Sequence, residues 1–569
     1  MRVFVAFGPV FFALCLCACQ TLGGLALFPG ERATLYYNGT IYLDPAEPPV
    51  EALVVRGKRV VGAGSERELR KGLRQGYRIV DLRGGVAVPG LTDAHGHIAG
   101  LGEALESVSL QGAASYEEVI ERVREEAQRH APGTWITGRG WDQSLWEVAD
   151  FPHHEALSKA VPDHPVLIRR VDGHAALANA RALEIAGLLF AGPLPEIEGG
   201  RIEVDGRGVP TGLLIDTAIG RVGRHVPAAD RTAIRRRILR AQEALLELGL
   251  VCVHDMGIDP ATAEILEELD EKGRLDLRVV AYLWGNAGLD AETLARYPRP
   301  EDASPESRLR IVGAKLMLDG ALGSRGAALL EDYTDAPGER GLLRLQYAAF
   351  VSRLRTLSRA GLQPATHAIG DRANRMLLDA YAELSRSESD FADFRPRIEH
   401  AQVVAPGDWS RFGRLGVVAS MQPTHATSDM RWAEARLGPE RLKGAYAWRR
   451  MVADPGTLAF GSDFPVESPD PLAGLYAART RMDREGRPSG GWLADQTLSG
   501  VEALAAFTRG PAFAAHEEQG RGRLAVGYFA DLTVLSVDPI LCDPGDLLEA
   551  SVLMTVIDGE VAFERASPN

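Results

Sequence analysis

The stretch GLTDAHGHIAG, residues 90–100, sets two imidazoles one residue apart at the end of a short apolar run. On a strand, side chains at i and i+2 point to the same face. His95 and His97 then aim at one point in space, as a metal ion requires. A lone His-x-His is also an ordinary turn, so the metal reading needs further donors. Four more polar residues stand at the ends of apolar runs: Lys315 in VGAKLML, His367 in QPATHAIGD, His400 in PRIEHAQVV and Asp463 in TLAFGSDFP. Each alone has a plain structural explanation, and a flanked lysine can snorkel to a rim. Together, imidazoles with a carboxylate suit zinc or a similar divalent ion.

Such residues converge only if the elements carrying them do. Eight apolar β runs can be read: GLTDAHGH, LVCVHDMG, LRVVAYLW, LRIVGAKLML, LQPATHAIGD, PRIEHAQVV, VVASMQP and TLAFGSDFP. Helical stretches such as AAFVSRLRTLSRAG and NRMLLDAYAELSR lie between most of them. Alternation of this kind predicts an α/β (β/α)8 TIM barrel, spanning about residues 90–515, whose functional side chains sit at the C-terminal ends of the strands. The segment of about 110–226 exceeds one βα unit and reads as an insertion after the first strand. Alternating strands at 33–89 and again at 516–566 predict that the chain ends pair into one small β-domain.

The chain has 569 residues, 46% of them hydrophobic, and a formal net charge of -14. An acidic chain with no basic tract is a poor nucleic-acid binder, because phosphate contacts need clustered Lys and Arg. The most basic run, RTAIRRRILRAQEALLELGL, interleaves its charges with apolar residues at helical spacing and reads as a solvated helix face. Residues 1–19 have one positive charge, an apolar stretch and then small residues, a secretory signal pattern. The run is short for a membrane span, and Leu16-Cys17-Ala18-Cys19 resembles a bacterial lipobox. That predicts a lipid anchor on Cys19 as the sole membrane contact. Gln20 after it points to the periplasmic face of the outer membrane. Cys252 and Cys542 then remain, too few for a disulfide framework, and read as small apolar residues. The oligomeric state stays open, a homo-oligomer included.

Beyond DAHGH, the chain carries GRGWDQSLW, DGHAALANARAL, DGALGSRGAAL, THAIGDRAN, RIEHAQ, SMQPTH and GSDFPVE in order. With these it resembles the amidohydrolase superfamily, specifically the YtcJ-like branch that includes N-substituted formamide deformylase-like proteins. The resemblance implies a barrel with a β-sandwich from both termini. It implies that His95 and His97 bind one metal, zinc or a similar ion, with Asp463, and that His367 and His400 bind a second. Lys315 stands where the family can carry a carboxylated lysine bridging both. The implied reaction is hydrolysis of a non-peptide C–N bond, amide or N-formyl, by metal-activated hydroxide, with Asp463 as general base and then acid. Trp141, Asp142 and His174 in the insertion, and Ser324 and Arg325 after the fourth strand, are implied to line a small-molecule pocket. No metal role falls to His254, which reads as pocket or core. The alternatives are a superfamily deaminase, another single-metal hydrolase with Lys315 as a bystander, and a non-catalytic binding lipoprotein. Against deamination, the glutamate expected three residues after His367 is absent, Asp371 standing one position later. The intact ligand set argues against a mere scaffold.

Overall fold

The computed structural model describes residues 32–566, apart from 74–75, 144–145, 148–149, 171–174, 191–196, 198–199, 217, 298–303, 305, 389–390 and 453–457. The leader and Cys19 lie outside the described residues. Eight parallel strands follow one another in chain order around one sheet. They are β1 (Leu91–Gly96), β2 (Leu250–Ile258), β3 (Arg278–Trp284), β4 (Leu309–Met317), β5 (Gln363–Ala368), β6 (Arg397–His400), β7 (Val418–Met421) and β8 (Leu458–Phe460). The ring closes just past β8, where the Asp463 amide donates to the His95 carbonyl (2.7 Å) and the His97 amide to Phe464 (2.9 Å). Helices return the chain between strands, including Pro260–Glu271, Tyr347–Ala360, Asp371–Ser387 and Pro423–Leu442. This is the (β/α)8 barrel expected from the sequence.

Local chemistry fixes these elements. Val, Ile and Leu dominate β2 to β4, as strands covered on both faces require. Asp259 caps Pro260–Glu271 by accepting from Thr262 N at 2.7 Å, with Pro260 in the first turn. Gly361, at φ 78°, ends Tyr347–Ala360 in the left-handed conformation. Gly461 permits the ring to close: a Cβ there would lie 2.4 Å from His95 N and 2.5 Å from Asp93 Oδ1.

Between β1 and β2 the chain builds a separate six-stranded sheet from Val108–Ser109 to Pro210–Asp216, with its own core around Trp141, Ile168 and Leu177. The basic run forms the helix Arg231–Glu247, which pairs Arg231 and Arg235 with Glu268 and Arg236 with Glu106. The chain ends form two further sheets. Ala33–Tyr37, Ala52–Arg56, Arg59–Gly64 and Arg78–Asp81 make one. Thr40–Ile41 and Val86–Pro89 join Leu532–Leu535, Val552–Ile557 and Glu560–Glu564 in the other, with Thr533 opposite Val88. Tyr36, Leu53 and Val55 of the first sheet share a core with Ala87, Leu532 and Val556 of the second. Cys252 is buried in β2, Cys542 is half-buried, and both are free thiols. Among the described residues no helix is long and apolar enough to cross a membrane.

Candidate metal centre

The C-terminal ends of β1, β4, β5, β6 and the turn after β8 bring His95, His97, Lys315, His367, His400 and Asp463 together. His95, His400 and Asp463 offer ligand atoms within 4.8 Å of one another. Both imidazoles of the His-x-His pair face Asp463: Oδ1 lies 3.5 Å from His95 Nε2 and 3.0 Å from His97 Nε2. The His400 ring stands 4.8 Å from that of His95 and 4.5 Å from that of His367. Lys315 Nζ is 3.1 Å from His95 Nε2. The six residues singled out in the sequence thus share one cluster.

Behind it lies a layer that strand-end reading passed over. His95 Nδ1 donates to Glu399 Oε2 at 2.6 Å, leaving the Nε2 lone pair turned to the cluster. Glu399 is held by Arg397 (2.8 Å), whose guanidinium also reaches Ala94 O, Tyr282 Oη, Ser420 Oγ and His254 Nδ1. His254 is therefore core, tied to the arginine that anchors the first ligand. Asp319, the carboxylate nearest His367 Nε2 (3.4 Å), accepts from the Ala328, Ile369 and Gly370 amides. His400 Nδ1 is 2.9 Å from Gln422 Oε1.

The electrostatics favour ligand forms at His95, His400 and Asp463, whereas at His97 the lowering by burial is outweighed by the hydrogen bond to Asp463, which raises the imidazole. Burial, aided by the neighbouring Lys315 ammonium, pulls His95 down to about 4, so the imidazole is neutral near pH 7. Burial and the His367 and His95 imidazoles likewise keep His400 well below its ordinary value. Burial alone would raise Asp463, but the imidazoles of His95, His97 and His400 outweigh it and hold the carboxyl well below the usual range. Burial lowers Lys315 to about 8, which brings its neutral amine within reach.

Backbone geometry aims two of the donors. His400 and Asp463 both adopt left-handed conformations, φ 73° and 61°. A non-glycine residue held there costs on the order of 1 kcal/mol or more, a strain the surrounding hydrogen bonds maintain. The donor set fits a divalent cation. The neutral imidazoles of His95 and His400 and the ionised Asp463 carboxylate converge, and His367 Nε2 is buried there with no hydrogen-bond partner, as is the nearby His425 Nε2, which is not counted among the ligands. His425 lies in SMQPTH, but it sits in the first turn of Pro423–Leu442 rather than at a strand end.

The residues expected to line a pocket are not drawn into this cluster as a group. Trp141 is 1% exposed, packs in the core of the inserted sheet and donates from Nε1 to Ile168 O. Packing there is a structural role, which corrects the pocket-lining expectation for this residue. Asp142 pairs with Arg170 at 2.6 Å. Arg325 forms an ion pair with Asp335 at 2.9 Å, and Ser324 beside it is exposed. His174 lies outside the described residues. A cavity of about 600 Å³ does open at His97, walled by Asp255, Gly257, Trp284, Leu289 and Tyr297. Trp284 is 40% exposed there.

A closed barrel with histidines and an aspartate converging at its C-terminal rim defines a class, the metal-dependent hydrolases. Comparison with known proteins narrows it. The amidohydrolase family pattern matches residues 78–563, and the chain belongs to that family. It is 34% identical over 543 residues to Protein LONG AFTER FAR-RED 3 of Arabidopsis thaliana, covering 93% of this chain and 91% of that one. It is 30% identical to the putative amidohydrolase YtcJ of Bacillus subtilis, over 94% and 99%. It is 28% identical to the N-substituted formamide deformylase of Arthrobacter pascens, over 92% and 96%. Among solved structures, an uncharacterized metal-dependent hydrolase from Pyrococcus horikoshii OT3 superposes with a TM-score of 0.74 at 31% identity, covering 90% of this chain and 99% of that one.

Proposed function

We propose that the chain is a metal-dependent hydrolase of a non-peptide C–N bond, of amide or N-formyl type. The observation that carries this is the convergence of His95, His400 and Asp463 within 4.8 Å, with Lys315 Nζ in contact with His95. His95, His97 and Asp463 would hold one divalent ion, and His367 and His400 a second. Zinc suits these donors. Lys315 would take up carbon dioxide on its neutral amine: the N–C bond forms, a proton leaves, and the resulting carbamate is an anion fit to bridge. When bound, a divalent ion supplies Lewis acidity, which acidifies water and polarises a carbonyl.

The chain's own residues then act in order. Glu399, gripped by Arg397, keeps the His95 ring in place and its Nε2 unprotonated. The Asp463 carboxylate, ionised in the free protein, accepts a proton from the attacking water and returns it to the leaving nitrogen. The cavity beside His97 has room for the substituent on that nitrogen, with the exposed Trp284 as an apolar wall. The similarity to an N-substituted formamide deformylase supports this choice of substrate class.

The test is a screen of N-formyl, N-acyl, cyclic-imide and carbamate compounds with purified protein, measuring ammonia and amine release separately, alongside metal analysis. We expect amine release and about two metals per chain. Lys315→Ala should lose at least one metal together with activity, and Lys315→Arg should not rescue, since guanidinium cannot take up carbon dioxide. Full metal content and wild-type turnover in Lys315→Ala would make a single-metal enzyme the better reading. Residues 1–19 we read as a lipoprotein leader with Cys19 as the anchor, so Cys19→Ser should abolish membrane attachment.

A further inference from the structure

His425 is a buried imidazole facing the cluster that neither the ligand assignment nor the proton relay uses. Its ring is 5.9 Å from that of His400 and nearly parallel to it, and its Nε2 lies 3.7 Å from Asp463 Oδ2. The Gln402 amide Nε2 lies 3.3 Å from His425 Nδ1. An amide NH2 is a donor, so Nδ1 accepts and the ring proton sits on Nε2. That N–H is buried, faces the cluster, and has no hydrogen-bond partner. A buried donor left unpaired is costly, a cost that makes sense where a ligand acceptor arrives. The residue also stands in the first turn of Pro423–Leu442, where the helix dipole favours negative charge.

We propose that His425 is a further catalytic residue, the hydrogen-bond donor to the substrate carbonyl oxygen as that oxygen becomes anionic. This rests on the amide-hydrolase reading above. When water adds to the carbonyl carbon, the C–O bond forms and the π pair moves onto the carbonyl oxygen. Nε2–H hydrogen-bonds that oxygen and keeps its proton throughout. The water proton goes to Asp463. As the C–N bond breaks, the oxygen's pair returns to rebuild the carbonyl, and the nitrogen leaves with the proton from Asp463. A donor that meets charge only in the transition state raises kcat and leaves substrate affinity nearly unchanged.

The experiment compares wild type with His425→Ala and His425→Gln in metal-loaded protein. Gln places an N–H near the position of Nε2 and guards against a packing defect. His425→Ala should keep the wild-type metal content and lose about 100- to 1,000-fold in kcat with little change in KM. His425→Gln should recover part of the loss. Binding of an alkylphosphonate, a tetrahedral oxyanion mimic, measured by calorimetry, should weaken in His425→Ala far more than binding of the matching planar carboxylate. Loss of metal in both variants would make His425 a ligand instead, and wild-type kcat or equal weakening of both anions would also overturn the proposal. If the wild type hydrolyses no amide, the substrate reading fails, while metal content and the two anions still judge His425.

Discussion

The two ends of the barrel both bury charge, yet they are built on opposite principles. At the C-terminal rim, imidazoles and Lys315 crowd together, burial drives His95 and His400 toward their neutral forms, and His367 and His425 keep buried nitrogens without partners. At the N-terminal end, opposite charges are matched. Arg278 pairs with Asp531 (2.8 Å) and Asp558, Arg310 with Glu517 (2.9 Å), and Arg521 with Glu517 and Asp531. Asp531 and Asp558 flank the C-terminal strands Leu532–Leu535 and Val552–Ile557, Arg278 and Arg310 lie at the starts of β3 and β4, so this network fastens the terminal sheet to the barrel. The rim gathers lone-pair donors around one carboxylate; the base matches guanidinium to carboxylate. A buried polar cluster is thus read by its charge balance, not by its polarity.

Exchanging one aspartate at each end breaks the comparison most sharply. Asp463→Asn should lower kcat by about 10,000-fold, the upper range for a lost proton-transfer group, an effect far larger than its effect on stability. Asp531→Asn should cost about 3–5 kcal/mol, the range for a broken buried pair, while folded molecules keep wild-type kcat. Denaturant melts and steady-state kinetics on both proteins test this, and a rim variant that unfolds while the base variant stays stable would reverse the assignment. Glu399→Gln is the intermediate case. It should weaken metal affinity by about 10- to 100-fold, measured by competition with a chelating dye. Unaltered affinity would make Glu399 mere support for Arg397.

The smallest effect is in pH. Burial would raise Asp531, but Arg278 and Arg521 outweigh it and hold the carboxyl at about 2, below its ordinary 3.8. A depressed carboxylate contributes its stability above the unfolded value and loses it as pH falls from 3.8 through 2. The contribution is about 2 kcal/mol. Unfolding curves between pH 6 and pH 2.5 should therefore fall more steeply for wild type than for Asp531→Asn. Parallel curves would show that the pair does not set acid stability.

The barrel was legible because its strands are short apolar runs that end on polar residues, a pattern imposed by two buried faces and a functional rim. The six clustered residues followed from that one rule. Glu399 escaped it because strict alternation puts neighbours 399 and 400 on opposite faces, and choosing His400 excluded the residue before it. The left-handed φ of His400 breaks the alternation and lets both serve the same cluster. His425 escaped because it sits on a helix turn. Trp141 was assigned to the pocket through a motif alone, and no periodicity distinguishes a pocket tryptophan from one that fills the core of an inserted sheet.

The ring closes where its first and last strands meet, and the donors from those strands, His97 and Asp463, are 366 residues apart in the chain. A polypeptide emerging from the ribosome therefore has no such pair to offer until its eighth barrel strand has been made. Seven docked strands leave the pair incomplete; the eighth creates it. Any ion captured there binds only the finished ring, and its binding free energy adds directly to the stability of closure. Occupancy of the centre would then report that the ring has closed.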